Sequence, residues 1–260
     1  MKKITFTNAF FVLVFSFNSY AMDGREIMKD VIQASYYQGQ DVRANAHMTI
    51  IDQQGRERIR ALTLLRRNME DSGNQKYYVY FNKPSDVKKM VFMAWKNSKK
   101  EDDRWLYLPA LDLVKRIAAS DDRTSFVGSH FYYEDVSGRG LDEDNHQLVS
   151  EDEIQYVIKS QPKIAEAVEF SHYKIWVDKE TYLPTKIEYY DKNNVVYRIY
   201  RLLDTKNIDG NPTVIKAQME DLRSGGKTIT KYSAIVYSQN IPEKIFSERY
   251  LRKSPKKYLK

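Results

Sequence analysis

The histidines and serines of this chain are the side chains that could support acid–base or nucleophilic chemistry. The four histidines, His47, His130, His146 and His172, are widely spaced, and neither an H-E-x-x-H zinc motif nor a G-x-S-x-G nucleophile elbow occurs. Ser129 and His130 are adjacent, but neighbouring side chains need not converge, and no strand-turn-helix pattern surrounds them. We therefore expect that the protein is not an enzyme. A hydrolase with an unrecognised serine site is the catalytic alternative.

One acidic stretch contains side chains that could hold a cation, namely Asp142-Glu143-Asp144-Asn145-His146. It lacks the glycine and the distal glutamate of a calcium loop, so a solvated loop is the favoured interpretation. The chain contains no cysteine, which excludes disulfides, thiolate zinc sites and cysteine nucleophiles. We expect no bound metal and no cofactor.

Residues 1–21 have the composition of a secretory signal peptide. Two lysines form a basic start, residues 4–17 are almost entirely apolar, and the small residues Ser19 and Ala21 end the segment. A membrane-spanning helix needs about 20 apolar residues, so cleavage is favoured over an uncleaved anchor. We therefore predict a cleaved signal peptide and a soluble mature chain in the periplasm. Because no cysteine is present, this chain would carry no lipid anchor.

The mature chain is expected to be only moderately basic. The formal net charge of +7 falls to +5 when Lys2 and Lys3 are removed with the signal peptide. This excess is spread among 35 acidic residues, which indicates a solvated surface and gives no reason to expect nucleic-acid binding. A transient contact with anionic membrane headgroups is the interaction that the basic C-terminal tail could make, through Arg252, Lys253, Lys256, Lys257 and Lys260.

One helix is predicted near the start of the mature chain, over residues 24–36. Asp23 is a good N-cap, and Ile27 and Val31 belong to an apolar stripe at helical spacing that would pack against a sheet. A short last helix is predicted to begin at Pro242, with an apolar side formed by Ile245, Phe246 and Tyr250.

Most of the remaining chain has the two-residue periodicity of strands separated by short polar turns. We predict about ten antiparallel strands in one domain over residues 22–260, because no linker or second composition zone interrupts the pattern. Open sheets of more than about ten strands tend to close or split. The expected fold is therefore mainly β with a few helices, an incomplete antiparallel β-barrel covered by helices. The strand runs are residues 44–50, 56–66, 76–82, 91–95, 104–108, 154–159, 172–177, 186–190, 195–203, 214–222 and 228–237.

The central segment departs from the simple meander and resembles a known family. Residues 104–117 read RWLYLPALDLVKRI, and residues 125–135 read SFVGSHFYYED. These runs resemble the pattern of outer-membrane lipoprotein-sorting proteins, the LolA/LolB-like group, in which a W-x-Y-x-P-x-x-x-x-x-R-R-I-like strand precedes an S-F-x-G-S-x-x-x-Y-E-D loop. Lys115 replaces the first arginine of that pattern. Residues 178–190 and 241–251 also look like this family, so the resemblance covers nearly all of the mature chain.

The resemblance implies an incomplete antiparallel barrel wrapped around helices, with an apolar interior that shelters acyl chains. It also implies residence in the periplasm and frequent association with exporters of lipid-like molecules. The implied partners are a lipid or acylated protein as cargo and an inner-membrane exporter of the resistance-nodulation-division type.

A carrier function also has an independent physical basis. Each methylene group exposed to water costs about 0.8 kcal/mol, so an acyl chain of about fourteen carbons costs on the order of 10 kcal/mol. A half-barrel with an apolar lining would shelter such a chain during its passage through water. We therefore predict a periplasmic carrier of lipid or lipoprotein. The alternatives are a non-carrier accessory subunit of a transporter, with a barrel filled by its own side chains, and an envelope hydrolase.

The apolar residues around the interrupted strand are the candidate cavity lining, with ordinary core packing as the alternative for each: Trp105, Tyr107, Leu108, Leu111, Phe126, Phe131 and Tyr132. Arg116 and Arg123 lie near Asp121, Asp122 and Asp135 in the sequence. Because arginine pairs bidentately with carboxylates, a structural ion-pair network around the loop is favoured for both arginines. Contact with a lipid headgroup or a partner protein is the alternative.

Overall fold

The computed structural model describes residues 23–69, 73–118, 121 and 123–260. The predicted signal peptide, residues 1–21, lies outside the described residues, as does Asp122 of the predicted ion-pair network. The described part of the chain forms thirteen strands and three α-helices, with short 3-10 helices in some connections.

Six strands follow the N-terminal helix in the chain, and seven more lie between a long connection and the C-terminal segment. The strands are β1 (Asp41–Ile51), β2 (Glu57–Asn68), β3 (Gln75–Lys83), β4 (Val91–Lys96), β5 (Asp103–Leu108), β6 (Leu113–Ile117), β7 (Asp144–Glu151), β8 (Gln155–Pro162), β9 (His172–Asp178), β10 (Pro184–Tyr190), β11 (Val196–Ile208), β12 (Asn211–Asp221) and β13 (Gly226–Tyr237).

All thirteen strands belong to one antiparallel sheet, in the order β6-β5-β4-β3-β2-β1-β13-β12-β11-β10-β9-β8-β7. Two meanders are thus joined where the first and last strands pair, with Ala46 of β1 opposite Tyr232 of β13. The edge strands β6 and β7 are consecutive in the chain. Residues 118–143, which connect them, are called the crossover segment below, and they contain α2 (Tyr133–Ser137).

The expected antiparallel β fold is confirmed, but the expected number of about ten strands is corrected to thirteen. β6 and β7 are the strands that sequence periodicity misses. Burial alternates along the first part of the edge strand β7, but two of its inward residues, Asp144 and His146, are polar, so the sequence shows no alternation of apolar and polar residues. The predicted solvated loop 142–146 is also corrected, because Asp144 and His146 lie on β7 and Asp144 is buried.

The predicted N-terminal helix is confirmed as α1 (Gly24–Tyr36). The carboxylate of Asp23 accepts a hydrogen bond from the backbone N–H of Arg25 and caps the helix. The helix packs against β7 and β8, and its buried residues include Ile27 and Val31. The apolar stripe therefore does what its spacing predicts: it covers one face of the sheet, which we call the inner face.

Two hydrophobic clusters lie on this inner face. One joins β1–β4 to the crossover segment and includes Leu62, Phe81, Phe92, Phe126 and Tyr133. The other joins α1 to β8–β11 and includes Ile27, Val31, Ile158, Phe170 and Tyr189. The two halves of the sheet thus have separate clusters, with α1 and the crossover segment packed against them.

A third cluster lies on the opposite, outer face of β2–β5, beneath the C-terminal segment. It includes Leu65, Tyr78, Met93, Trp105, Ile241, Ile245, Phe246 and Leu251. Trp95 Nε1 donates to the Phe246 carbonyl oxygen at 2.8 Å. The helix predicted from Pro242 is instead a 3-10 turn (Glu243–Ile245) followed by α3 (Glu248–Arg252).

Candidate functional site

A cavity of about 340 Å³ lies between α1, the inner face of the sheet and the crossover segment. This volume falls in the usual range of ligand pockets, about 300–1,000 Å³. Side chains from both halves of the sheet and from α1 line it, and most of them are apolar, among them Met28, Val31, Val42, Leu62, Phe131 and Ile187. The interior is therefore not filled by the protein's own side chains.

Small side chains on two central strands leave this space open. Ala44 lies opposite Leu64, and Ala46 lies opposite Leu62, in the register of β1 and β2. Ala217 of β12 lines the same cavity. Protein interiors are normally close-packed, so three methyl groups at inward positions leave room that larger residues would occupy.

Arg66 is a buried polar residue in the cavity wall. Its guanidinium donates to the backbone carbonyls of Tyr36, Gln38 and Gly39, the last at 3.2 Å, at and just beyond the end of α1. These carbonyls have no partner within the helix, so Arg66 satisfies them and fixes the helix end against β2. Burial lowers the pKa of Arg66.

The crossover segment is held in place by buried ion pairs centred on Arg123. Arg123 binds Glu134 within the segment and Glu169 in the loop before β9, with its Nε 2.6 Å from the Glu169 Oε2. The Arg123 side chain is 8% exposed. Its guanidinium also lies over the ring of Phe170, 4.7 Å from the ring centroid. One residue of the segment is therefore bonded to α2 and to the C-terminal half of the sheet.

Two further arginines extend this network. Arg139 donates to Glu134 at 3.0 Å and to Asp144 at 2.9 Å. Arg198 of β11 binds Asp135 of α2 and is fully buried. The carboxylates of α2 thus meet cations from the crossover segment and from the sheet, which stabilises α2 over one side of the cavity.

The electrostatics of α2 follow from this arrangement. Burial alone would raise the pKa of Glu134, but the two neighbouring arginines lower it to about 2. At the other end of α2, the Lys96 ammonium donates to the carbonyl of Ser137 at 2.9 Å and to that of Gly138. Burial lowers the pKa of Lys96. Both ends of this short helix are therefore held by buried charges.

The structure places two of the seven candidate lining residues in the cavity wall. These are Phe126 and Phe131, both in the crossover segment. Phe126 also belongs to the core, with its ring centroid 5.7 Å from that of Phe81 and 5.5 Å from that of Phe92. Their contact with a ligand stays a prediction.

The candidates on β5 lie away from the cavity. Trp105 and Tyr107 belong to the outer cluster, and the Trp105 ring packs 4.9 Å from that of Trp95. Side chains alternate along a strand, so Leu106 faces the inner cluster instead. Leu108, at the end of β5, is half-buried and does not line the cavity.

The last two candidates are also outside the cavity wall. Leu111 is 71% exposed in the turn between β5 and β6. Two guanidinium groups lie near the ring of Tyr132, that of Arg123 at 5.2 Å from the ring centroid and that of Arg198 at 3.8 Å. Tyr132 therefore belongs to the ion-pair network that fixes the crossover segment.

The two predicted arginines form ion pairs at different places and with partners other than those expected. Arg116 is exposed on β6 and binds Asp103 of the neighbouring strand. Arg123 is buried and binds glutamates, while Asp135 is bound by Arg198. Four members of the network were not predicted from the sequence, namely Glu134, Glu169, Arg139 and Arg198. Of these four, only Glu134 lies in a sequence run that had been singled out, the Tyr-Glu-Asp end of the SFVGSHFYYED segment.

The serines and histidines make structural contacts. Ser129 Oγ accepts from the backbone N–H of Phe131 at 3.2 Å, and His130 Nδ1 lies 2.8 Å from Thr228 Oγ1. In the part of the chain that the structure describes, no group of three or more His, Cys, Asp and Glu side chains could hold a metal ion. The arrangement is suited to enclosing an apolar molecule.

Comparisons with known proteins agree with this architecture. A family model described as an uncharacterized protein matches residues 73–253. The chain is similar to the crystal structure of a DUF1329 family protein from Desulfovibrio piger, with a TM-score of 0.81 and 26% identity over 88% of this chain and 97% of that chain. No curated protein matches the chain.

Two further solved structures share the fold. An outer membrane lipoprotein-sorting protein domain from Vibrio parahaemolyticus gives a TM-score of 0.80 at 24% identity, covering 88% of this chain and 98% of that chain. A LolA superfamily protein from Nitrosomonas europaea gives a TM-score of 0.68 at 19% identity, covering 88% of this chain and 100% of that chain.

No helix among the described residues is both long enough and apolar enough to cross a membrane.

Proposed function

Because this chain belongs to the family whose model matches residues 73–253 and shares the fold of solved lipoprotein-sorting and LolA superfamily proteins, we propose that it is a non-enzymatic carrier that shelters the acyl chains of a lipid or lipoprotein. The observation that carries this proposal is the unfilled, mostly apolar cavity inside the curved sheet. Each methylene group moved from water into such a cavity gains about 0.8 kcal/mol, which is the free energy a carrier must supply.

The cavity favours a carrier over an accessory subunit with a solid barrel. Ala44, Ala46 and Ala217 keep the centre of the sheet open, whereas a purely structural barrel gains stability when larger residues fill this space. The ion pairs of the crossover segment also support the proposal, because they hold a cover over the cavity, with Arg123, Glu134 and Asp135 in the cavity wall.

Exchange of cargo would take place at a membrane surface, and the C-terminal segment has the chemistry for such contact. The turn between β5 and β6 exposes Leu111 and Leu113. Arg252 of α3, the first residue of the basic tail, binds Asp112 between these leucines, with Nε 3.0 Å from Oδ1. Exposed apolar side chains next to lysines and arginines suit the interface of an anionic bilayer.

The carrier would work in the periplasm, loading from or delivering to an envelope exporter of the resistance-nodulation-division type. The exported location is supported by the composition of residues 1–21. The exporter is the partner that the family resemblance implies.

Lipid extraction from the purified mature protein, followed by mass spectrometry, tests the proposal. We expect phospholipid or acylated peptide to co-purify and a fluorescent acyl probe to displace it. Absence of both co-purified lipid and probe binding would overturn the carrier function. Turnover of an ester substrate that is lost in Ser129→Ala would overturn the non-enzymatic assignment in favour of a hydrolase.

A further inference from the structure

Four tyrosine hydroxyls in the cavity wall have no protein partner. Tyr36, Tyr189, Tyr200 and Tyr232 line the cavity from α1, β10, β11 and β13, and none of their side-chain hydroxyls forms a hydrogen bond with any residue that the structure describes. Other tyrosines of the same wall are satisfied. Tyr77 donates to Gln75 Oε1 at 2.8 Å, and Tyr173 donates to Asp144 Oδ2 at 2.6 Å.

These four hydroxyls belong to one region of the cavity. Burial raises the pKa of Tyr36, Tyr189 and Tyr232, and Asp135 is close enough to each of them to raise it further. Tyr200 of β11 and Tyr232 of β13 line the same cavity as Tyr36, and burial also raises the pKa of Tyr200. The pKa of Tyr232 reaches about 12, so its hydroxyl stays protonated at neutral pH and can donate a hydrogen bond.

Two smaller hydroxyls add to this polar region. Ser35 Oγ and Thr230 Oγ1 are buried in the cavity wall and have no partner among the described residues. A buried hydroxyl without a partner is unfavourable, and a ligand oxygen that accepts its proton removes this cost. An alkyl chain alone would leave these groups unsatisfied.

The charges around this region disfavour an anionic group. Arg123 and Arg139 are bound by Glu134, Arg198 is bound by Asp135, and the Arg66 guanidinium is bound by backbone carbonyls at the end of α1. A carboxylate or phosphate placed among the tyrosines would have to displace one of these protein acceptors from its arginine, whereas a neutral oxygen needs only a hydroxyl donor. A neutral oxygen is the acceptor that fits.

We infer that the cavity is selective for neutral acyl esters, whose carbonyl oxygens accept hydrogen bonds from the hydroxyls of Tyr36, Tyr200 and Tyr232. This inference rests on the proposed carrier function and specifies which part of the cargo is recognised inside the cavity. The apolar wall holds the chains, and the tyrosine region, defined by the four hydroxyls above, holds the ester linkage.

Dioctanoylglycerol and its ether analogue dioctylglycerol separate the contribution of the alkyl chains to binding from that of the ester carbonyls. The ether has the same alkyl chain length but no carbonyl groups. Binding is measured by displacement of a fluorescent acyl probe from the delipidated mature protein. We expect the wild-type protein to bind the ester about tenfold more tightly, the effect of roughly one net hydrogen bond. In Tyr200→Phe/Tyr232→Phe, the preference should fall to within about twofold while ether binding is unchanged.

Tyr77→Phe is the matched control, because its hydroxyl lies in the same wall but is already bound by Gln75, and it should keep the ester preference. Equal binding of ester and ether by the wild-type protein, or a preference that survives in the double variant, would overturn the ester selectivity and leave the carrier function intact. Failure of the protein to bind either lipid would overturn both. Melting temperatures of all variants establish that each is folded.

Discussion

Arg123 binds Glu169 through two parallel hydrogen bonds, from Nε to Oε2 at 2.6 Å and from Nη2 to Oε1 at 2.8 Å. Arg123 belongs to the crossover segment, and Glu169 lies just before β9, so the pair connects the cover of the cavity to the C-terminal half of the sheet. This bidentate geometry is the strongest that an arginine and a carboxylate adopt. The position of the cover therefore depends on an ion pair between a buried arginine and a half-buried glutamate.

Replacement of Arg123 should be far more destabilising than replacement of Arg116. Arg123→Ala leaves the buried carboxylate of Glu134 and the half-buried carboxylate of Glu169 without their shared cation, which should cost about 3–5 kcal/mol of unfolding free energy. Arg116 is 69% exposed, and Arg116→Ala should change stability by less than about 1 kcal/mol. Denaturant unfolding measures both. Similar losses for the two variants would contradict the assignment of Arg123 as the anchor.

The stability of the protein should fall in acid because of Glu134. Its pKa is lowered from 4.5 to about 2 in the folded protein, so its contribution is complete above about pH 4.5. The contribution is lost as the pH falls through the folded pKa near 2, and it amounts to roughly 3 kcal/mol. Denaturant unfolding at a series of pH values from about 6 to about 2 measures this loss of unfolding free energy.

Glu134→Gln is the control for this pH dependence. The variant should be less stable than the wild-type protein at neutral pH, because two buried arginines lose a carboxylate partner. Its stability should also depend less on pH between about 4.5 and 2, since the titrating group is gone. An unchanged acid dependence in Glu134→Gln would assign the effect to other carboxylates.

The antiparallel sheet and α1 could be predicted because both depend on local periodicity. The stripe of Ile27 and Val31 and the second half of β1, residues 46–50, have only one buried face each, so sequence spacing reveals that face. The position of the aromatic residues on β5 could not be predicted in this way. Both faces of β5 are covered, the inner by core residues and the outer by the C-terminal segment, so apolar character does not identify the cavity side.

The ion pairs around the cavity depend on long-range contacts. Arg198 is 63 residues from Asp135 in the chain, and Glu169 is 46 residues from Arg123. Neither separation produces a local pattern in the sequence. The closeness of Arg123 to Asp135 in the sequence suggested that these two residues pair, but Asp135 pairs with Arg198 instead. The composition of the crossover segment thus indicated an ion-pair network, but only the fold determines its partners.

Trp105→Ala should destabilise the protein without removing lipid binding. Trp105 is 8% exposed in the outer cluster, so its truncation should cost about 3–5 kcal/mol of unfolding free energy. The cavity on the inner face keeps its wall, and the folded variant should bind an acyl probe with wild-type affinity. Phe126→Ala, by contrast, alters the core and the cavity wall together and should change both properties. Loss of probe binding in folded Trp105→Ala would contradict the outer position.

Leu111→Asp should weaken binding to anionic vesicles. Leu111 is 71% exposed beside the basic tail, and an inserted leucine contributes about 1.5–3 kcal/mol, so the loss should be about tenfold or more. Co-sedimentation with phosphatidylglycerol vesicles measures this binding. Ile154→Asp is the matched control, since Ile154 is 70% exposed in the turn between β7 and β8. Equal effects of the two substitutions would show that exposure alone, and not this surface, determines vesicle binding.

Val214→Trp should block the cavity while leaving the fold intact. Val214 lines the cavity from β12 and is only half-buried, so a larger side chain can enter the open space without displacing core residues. Exclusion of only two methylene groups of a bound chain would weaken binding about tenfold. Val236→Trp is the control, because Val236 is 38% exposed on β13 and does not line the cavity. If folded Val214→Trp retains the same amount of co-purified lipid as Val236→Trp, the ligand binds elsewhere on the protein.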